Sequence, residues 1–235
     1  MKNFFEQLSQ TELFSGIPSE YIAKMLDCMN ANIRKFSKGE FLMRAGETPV
    51  SIGLVISGEV HIVKEDFWGN NFILTDVKPG YTFAEASAIS GEKALLFGAV
   101  AKEQTEALFL PILRLRHTCS ENCGYHQKVI ENLLSAVADR NLTYERKCEH
   151  LSRRTTREKL LSFLSEQSTI NKSNEFSIPY NRQQLADYLS VDRSAMSSEL
   201  GHMQAEGLLQ FEKNRFRLLK VNESDSLQKD QFEFF

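Results

Sequence analysis

The chain has no uninterrupted apolar run of 18 residues or more, and its opening segment, MKNFFEQLSQTELF, carries Glu6 and Glu12 within the apolar pattern. A membrane-spanning helix needs a longer apolar stretch and a secretion signal a purer one, so the sequence predicts a cytoplasmic protein with no membrane partner. Cysteine is scarce. Cys28, Cys119, Cys123 and Cys148 are too few and too scattered to staple 235 residues, which points to a reducing compartment and leaves redox or metal chemistry as their possible roles. Also missing are a glycine-rich phosphate loop, a nucleophile elbow and a Ser/His/Asp arrangement. Small β-barrels can house metal-dependent oxygenases, but such sites need two or three histidines with a carboxylate, and the β-rich stretch offers only His61. The expectation is a protein that is not an enzyme.

Positive charge is short as well, with a formal net charge of -3, but the deficit is uneven. Residues 1–151 hold 16 lysines and arginines against 19 acids, residues 152–220 hold 11 against 8, and residues 221–235 hold 1 against 4. Only the middle block has the sign that attracts nucleic acid, and its surplus is too modest to decide the matter alone. With 42% hydrophobic residues, the chain is long enough for two packed cores or for one with an appendage.

What is present divides the chain. From Ile33 to Leu110, short apolar runs alternate with glycine turns (GEFLMRAGE, IGLVISGEVHIVKE, NNFILTDVKPG), and Ser57-Gly58 and Pro79-Gly80 are turn signals. Strands about every ten residues predict a small sandwich or barrel. Before it, Ile22, Met25, Leu26 and Met29 fall at helical spacing after Pro18. Tyr125 to Leu151 lacks Gly and Pro, and Val129, Ile130, Leu133, Leu134, Val137, Tyr144, Cys148 and Leu151 recur through it. Some 25 helical residues extend about 38 Å, too long for a small β domain to cover. A parallel two-stranded coiled coil interrupted by Arg140 and Asn141 is one reading, and a helix lying across a domain is the other.

After Ser152 the pattern shortens to amphipathic helices, beginning with Thr156 to Gln167, where Leu160, Leu161 and Leu164 are the expected core residues. In NRQQLADYLSVDRSAMSSELGHMQAEGLL, Asn181 can cap a helix with Gln184 reaching back to it, and Leu185, Ala186 and Leu189 form its apolar face. Asp192 can cap a second helix carrying Met196, Leu200 and Met203, with Val191 plugging the angle and Gly207 ending it. Cap, turn and apolar spacing agree on a helix-turn-helix. The second helix then turns Arg193, Ser194, Ser197 and Ser198 outward, as a recognition helix does in the major groove. Leu208 to Leu219 reads as a hairpin wing with Asn214 and Arg215 at its tip. Arg182 and Gln183, at the start of the first helix, complete the candidate contacts to double-stranded DNA; an ordinary helical subdomain with solvated serines is the alternative.

The pattern L-A-x-x-L-x-V-x-R-S-A-M-S, together with KGEFLMRAGE, LVISGEVHIV, PGYTFAEASAISG and LSRRTTREKLLSFL, resembles the CRP/FNR family of bacterial regulators over almost the whole chain. The resemblance implies an α+β fold: an N-terminal β-roll like the cyclic-nucleotide-binding jelly roll over residues 1–124, a long dimerisation helix over 125–151, a winged helix-turn-helix over 152–220, and an acidic tail over 221–235. It further implies a homodimer whose roll binds a small effector and shifts the pair between DNA-competent and incompetent arrangements. RNA polymerase becomes a partner if the protein activates transcription, although no surface patch identifies that contact.

Departures from the family narrow the effector. In cyclic-AMP-binding members a Gly-Glu pair precedes an Arg-Ser pair that holds the ribose and cyclic phosphate. Here Phe83-Ala84-Glu85 keeps the acid, but Leu95 and Leu96 stand where a phosphate needs a cation and a hydroxyl, so cyclic AMP is not expected. Phe83, Ala84, Glu85, Leu95 and Leu96 remain the candidate effector contacts for an unknown small molecule, and Glu85 either meets that ligand or caps the helix after it. The N-terminal cysteine cluster of oxygen-sensing members is absent, so no iron-sulfur cluster is expected. Cys119, Cys123 and His126, spaced to share a helix face, are either part of a metal or thiol-redox site or small residues packed beneath the long helix. A redox- or metal-sensing regulator and an effector-independent regulator, its roll a partner-binding module, are the remaining alternatives. The family commonly places Arg or Glu at the positions of Ser194 and Ser198, so the hydroxyls leave more of the specificity to Arg193 and DNA shape.

Overall fold

The computed structural model describes residues 2–65, 68, 71–91, 93–116 and 124–219, and the chain divides into two units, Met1–Arg140 and Asn141–Phe235. In the first unit the glycine-punctuated runs become eight strands: β1 (Asn32–Phe36), β2 (Phe41–Met43), β3 (Ser51–Ser57), β4 (Val60–Glu65), β5 (Asn71–Val77), β6 (Thr82–Phe83), β7 (Gly98–Ala101) and β8 (Thr105–Pro111). They form two four-stranded antiparallel sheets, ordered β1-β8-β3-β6 and β2-β7-β4-β5. The turn between β3 and β4 needs glycine: Gly58 has φ +78°, and a Cβ there would lie 2.5 Å from the Gln104 carbonyl oxygen.

Because successive strand residues face opposite ways, the first sheet serves two cores at once. Val55, Ala107 and Phe109 look into the roll, where Phe36, Leu42, Val60, Phe83 and Ala99 complete the packing. Ile52, Leu54, Ile56, Leu108 and Leu110 look outward, into a second cluster built with helices α1 (Lys2–Ser9), α2 (Ser19–Cys28), α4 (Ile112–Arg116) and α5 (Gly124–Ser152). A strand buried on both faces loses its alternation, which is why VISG and LFL read as plain apolar runs. Between β6 and β7 lies the short helix α3 (Glu85–Ser90). α1 and α4 are additions that the apolar spacing did not announce.

The second unit holds α6 (Thr156–Asn171), α7 (Arg182–Leu189), α8 (Arg193–Ala205) and the strands β9 (Glu175–Ser177), β10 (Leu209–Glu212) and β11 (Arg215–Leu218) in the order β10-β11-β9. Its core joins Leu160, Phe163 and Leu164 to the apolar faces of α7 and α8 and to Phe176 and Phe216 of the sheet. Leu161, expected in that core, is 42% exposed, and Phe163 takes the buried place instead. The helix is rotated to bring the larger ring inward, where Tyr180 and Tyr188 meet it at 6.2 and 5.6 Å between centroids. The wing expected as a hairpin is a three-stranded sheet, because β9 pairs with β11 through Phe176 opposite Phe216.

Inside the roll, the Phe83 ring lies where Gly53 has no side chain: a Cβ at Gly53 would sit 2.1 Å from Cζ of Phe83. Gly53→Ala is expected to displace that ring and cost about 1 to 3 kcal/mol of stability, as overpacking does, measured by urea unfolding. A variant as stable as the parent would show that the ring is not wedged against β3.

Candidate functional site

The helix-turn-helix is assembled by local hydrogen bonds. Asn181 Oδ1 accepts the Gln184 amide at 2.9 Å while Gln184 Oε1 accepts the Asn181 amide at 2.9 Å, a reciprocal cap that sets where α7 begins. Ser190 takes the left-handed conformation at φ +50° and ends α7, and Lys159 Nζ donates to the freed carbonyls of Leu189 and Ser190 at 3.1 and 3.4 Å. Two residues on, Asp192 Oδ1 accepts the Ala195 amide at 2.8 Å and starts α8. Leu185, Ala186 and Leu189 of α7 and Met196, Leu200 and Met203 of α8 are fully buried against one another's cluster, and Val191 packs at its edge. Arg157 of α6 ties the far end of α8 down through Glu199 and Glu206.

This packing leaves Arg193, Ser194, Ser197 and Ser198 exposed on α8. Ser194 Oγ donates to Asp192 and Ser197 Oγ to the Arg193 carbonyl at 2.9 Å, so two of the three hydroxyl protons are engaged within the helix. Gln183 is exposed and donates to Asp187 at 2.8 Å. Arg182 is turned inward: its guanidinium lies 4.9 and 5.1 Å from the ring centroids of Phe211 and Phe216, with Nη1 buried and without a hydrogen-bond partner among the described residues, and burial pulls its pKa below the usual arginine value. Asn214 is tied to the sheet, its side chain donating to the Ile178 carbonyl at 3.0 Å, while Arg215 is exposed beside it.

In the first unit, the residues picked for the effector do not converge. Phe83 is a core ring, Leu95 is buried, and Leu96 is 61% exposed. Ala84 sits at φ +62° and precedes α3 without a side-chain cap. Glu85 supplies no cap either. Its Oε1 accepts from Arg140 of α5, whose other nitrogen donates to Glu12 and, at 2.9 Å, to Thr82 Oγ1. Burial works against the Arg140 charge, but the Glu85 and Glu12 carboxylates outweigh it and hold the guanidinium above its ordinary pKa. Arg140, read as an interruption of the helix seam, is instead held by the Glu12 and Glu85 carboxylates of the first unit. No local pattern could reveal it, since its partners lie 55 and 128 residues away.

A family model described as a cyclic nucleotide-binding domain matches residues 33–122, and one described as a Crp-like helix-turn-helix domain matches residues 158–229. The chain belongs to the CRP/FNR family of DNA-binding transcription regulators. Among solved structures it is similar to the Catabolite Activator Protein of Thermus thermophilus, at 22% identity and a TM-score of 0.51 over 94% of this chain and 99% of that one. The c-di-GMP responsive global regulator CLP of Xanthomonas campestris gives 18% and 0.53 over 87% and 100%, and the OCPA-complexed CprK 16% and 0.58 over 87% and 93%. At these identities the likeness shows the fold. No curated protein sequence matches the chain.

As a CRP/FNR regulator the chain has an effector-type domain in which Cys119 and Cys123 lie outside the described residues. His126, their proposed companion, is 2% exposed, and its Nε2 has no hydrogen-bond partner among the described residues. Among those residues no group of three metal-ligating side chains comes together, and no described helix is long and apolar enough to cross a membrane.

The helix caps make the DNA-binding unit sensitive to acid. The Ser194 hydroxyl and the Ala195 amide hold Asp192 below its ordinary value, and the Thr155 amide and hydroxyl do the same for Glu158. A carboxylate with a depressed folded pKa contributes stability above its unfolded pKa and loses it as pH falls through the folded value, here below the ordinary carboxylate range. Asp192→Asn keeps a cap acceptor but cannot titrate, so urea unfolding between neutral and acid pH is expected to show a shallower acid loss than in the parent. Identical slopes would remove Asp192 from that account.

Proposed function

We propose that this regulator works as a homodimer joined along α5, binds a two-fold-symmetric DNA site through α8, and responds through its roll to a small effector other than cyclic AMP. The observation that carries the dimer is the division of α5 into two stripes. Val129, Leu133 and Ala136 are buried on the first unit, with Arg140 continuing that stripe. Ile130, Leu134, Val137, Asn141, Tyr144, Cys148 and Leu151 follow one another at strict four- and three-residue spacing on the other; Val137 also packs at the edge of the first unit's core, while Leu134 and Tyr144 are 69% and 58% exposed. That is the spacing of a two-stranded seam, and Asn141 within it is the kind of polar residue that fixes register. With Arg140 assigned to the other stripe, the seam has one polar interruption instead of two.

For DNA, the reading rests on the exposed face of α8, where Arg193 can read guanine or hold a phosphate, with Arg215 on the wing as a backbone contact. Ser198, whose hydroxyl is not spent within the helix, is the serine best placed to meet a base edge. Gln183 at the start of α7 and Ser194 and Ser197 complete the surface, while Arg182 and Asn214 act in it by holding the wing sheet. Against cyclic AMP stand the apolar Leu95 and Leu96, the Phe83 ring inside the roll, and Glu85 already engaged by Arg140.

Leu134→Lys should break the seam and shift the protein from dimer to monomer in sedimentation equilibrium; a dimer that survives it would locate the interface elsewhere. Selection of DNA from a random pool is expected to recover half-sites one helical turn, about 34 Å, apart. Arg193→Ala should weaken binding to the recovered site by about 1 to 3 kcal/mol. Undiminished affinity in that variant would take base reading away from Arg193.

A further inference from the structure

We infer that the roll carries a binding site for a small monocarboxylate with an apolar body, seated on Arg34 at the open end of the space between the two sheets. The inference rests on the effector-responsive reading above and names the ligand chemistry. On β1, Asn32, Arg34 and Phe36 alternate onto the face that looks into the roll, and Phe36 is in its core. Arg34 stands on an inward face where apolar residues are the rule. Its guanidinium lies 4.8 Å from the Phe36 ring centroid and 5.5 Å from that of Phe109, held by the rings while remaining exposed. Among the described residues it has no ion-pair partner.

The space beside it is a cavity of about 350 Å³, with Leu42, Leu95 and Phe109 on its apolar wall and Asn32, Arg34 and Glu47 among its polar residues. The groove is open and of mixed lining, and apolar side chains beside a few convergent polar groups suit a small ligand with one polar end. Arg34 matches a carboxylate in charge and in its bidentate donor geometry. Glu47, which accepts the Arg44 amide at 3.0 Å, brings a negative charge to the same cavity and so disfavours a phosphate dianion relative to a single carboxylate. Leu95 belongs to this wall, anchored by its amide on the Glu47 carbonyl at 2.8 Å, while Phe83, Ala84, Glu85 and Leu96 do not line it. The apolar residue that stands in place of a phosphate-binding arginine is therefore part of a different pocket's floor.

The test uses the full chain, titrated with benzoate, hexanoate, benzamide and phenyl phosphate and followed by saturation-transfer NMR, with thermal unfolding to verify that each variant is folded. Saturable binding is expected for the two carboxylates, about tenfold weaker in Arg34→Gln, partly restored in Arg34→Lys, and unchanged in Glu85→Gln, with benzamide and phenyl phosphate weaker than benzoate. Absence of saturable carboxylate binding, equal affinity in Arg34→Gln, or tighter binding of phenyl phosphate would overturn the proposal. Operator binding is measured separately with and without extracted cell metabolites. Carboxylate binding that leaves operator affinity unchanged supports the site and removes effector gating, whereas metabolite-gated operator binding without carboxylate binding removes the site and keeps the gating.

Discussion

α5 is one 29-residue helix whose side chains divide between a stripe buried on the first unit and a stripe left exposed. An α-helix offers neighbouring stripes at 3.6-residue periodicity, and Val129, Leu133 and Ala136 use one of them to close the outer core of the first unit. At the end of that stripe an apolar residue is replaced by Arg140, which is inserted between Glu12 and Glu85. Burying a guanidinium is unfavourable unless its hydrogen-bonding geometry is met, and here two carboxylates and the Thr82 hydroxyl meet it. The arrangement joins the N-terminal segment, the β6–α3 junction and the long helix at one point. Further along, His150 anchors the last turn of α5 within the second unit, buried to 1% with Ser162 and Glu166 on its two ring nitrogens at 2.8 and 2.9 Å. Polar fixtures of this sort define a geometry more sharply than apolar packing does, because a half-met buried charge is costly.

The second unit is ordered mainly by short-range chemistry. Each of α6, α7 and α8 begins at a side-chain cap, and α6 and α7 carry the full reciprocal box. Each signal lies within four residues of what it specifies, and the apolar spacing in each helix agrees with its cap, so local preference and tertiary packing coincide. That agreement explains why the helix-turn-helix was readable from residues alone, down to Asn181, Asp192, Val191 and Gly207. Two features that the local pattern does not convey have physical causes. Leu161 and Phe163 compete for one buried position on α6, and a shift of phase favours the ring that packs, tilted, against Tyr180 and Tyr188. Arg182 and Asn214, polar and near the expected DNA surface, bond inward because the three-stranded sheet gives them rings and a carbonyl that β9, invisible as a three-residue strand, helped to place.

In the first unit the sequence revealed the class of structure and the turn glycines but not the site. Which residues meet inside a roll is set by register between strands far apart in the chain, such as Asn32 opposite Phe109 and Gly53 opposite both Phe83 and Phe109. Glu85 could be picked out by its place in a motif, while its partner Arg140 could not. Leu95 and Leu96 are adjacent in sequence yet part company in space, one buried and one exposed, on an irregular segment whose course no local pattern specifies. NIRKF looks like an ordinary polar strand until β8 brings Phe109 beside the inward face that Arg34 shares with Phe36.

Those same rings give the roll an internal line of contact. Phe109, on the cavity wall, meets Phe83 edge-on at 6.1 Å between centroids; Phe83 leads through the left-handed Ala84 to Glu85, and Glu85 holds Arg140. Arg140 is followed at once by Asn141, an exposed polar residue on the other stripe of α5. Contiguity is not coupling: a ligand moves an equilibrium only by the difference in its affinity for two arrangements. The line does fix where such a difference can arise. A ligand that leaves the Phe109–Phe83 contact undisturbed has no purchase on Glu85 through these rings, whereas one that tilts Phe109 acts on a ring wedged against Gly53, where there is no free space to absorb the change. A close-packed interior of this kind transmits displacement rather than damping it, and the polar contacts flanking Phe83 on either side, at Thr82 and at Glu85, both lead to Arg140.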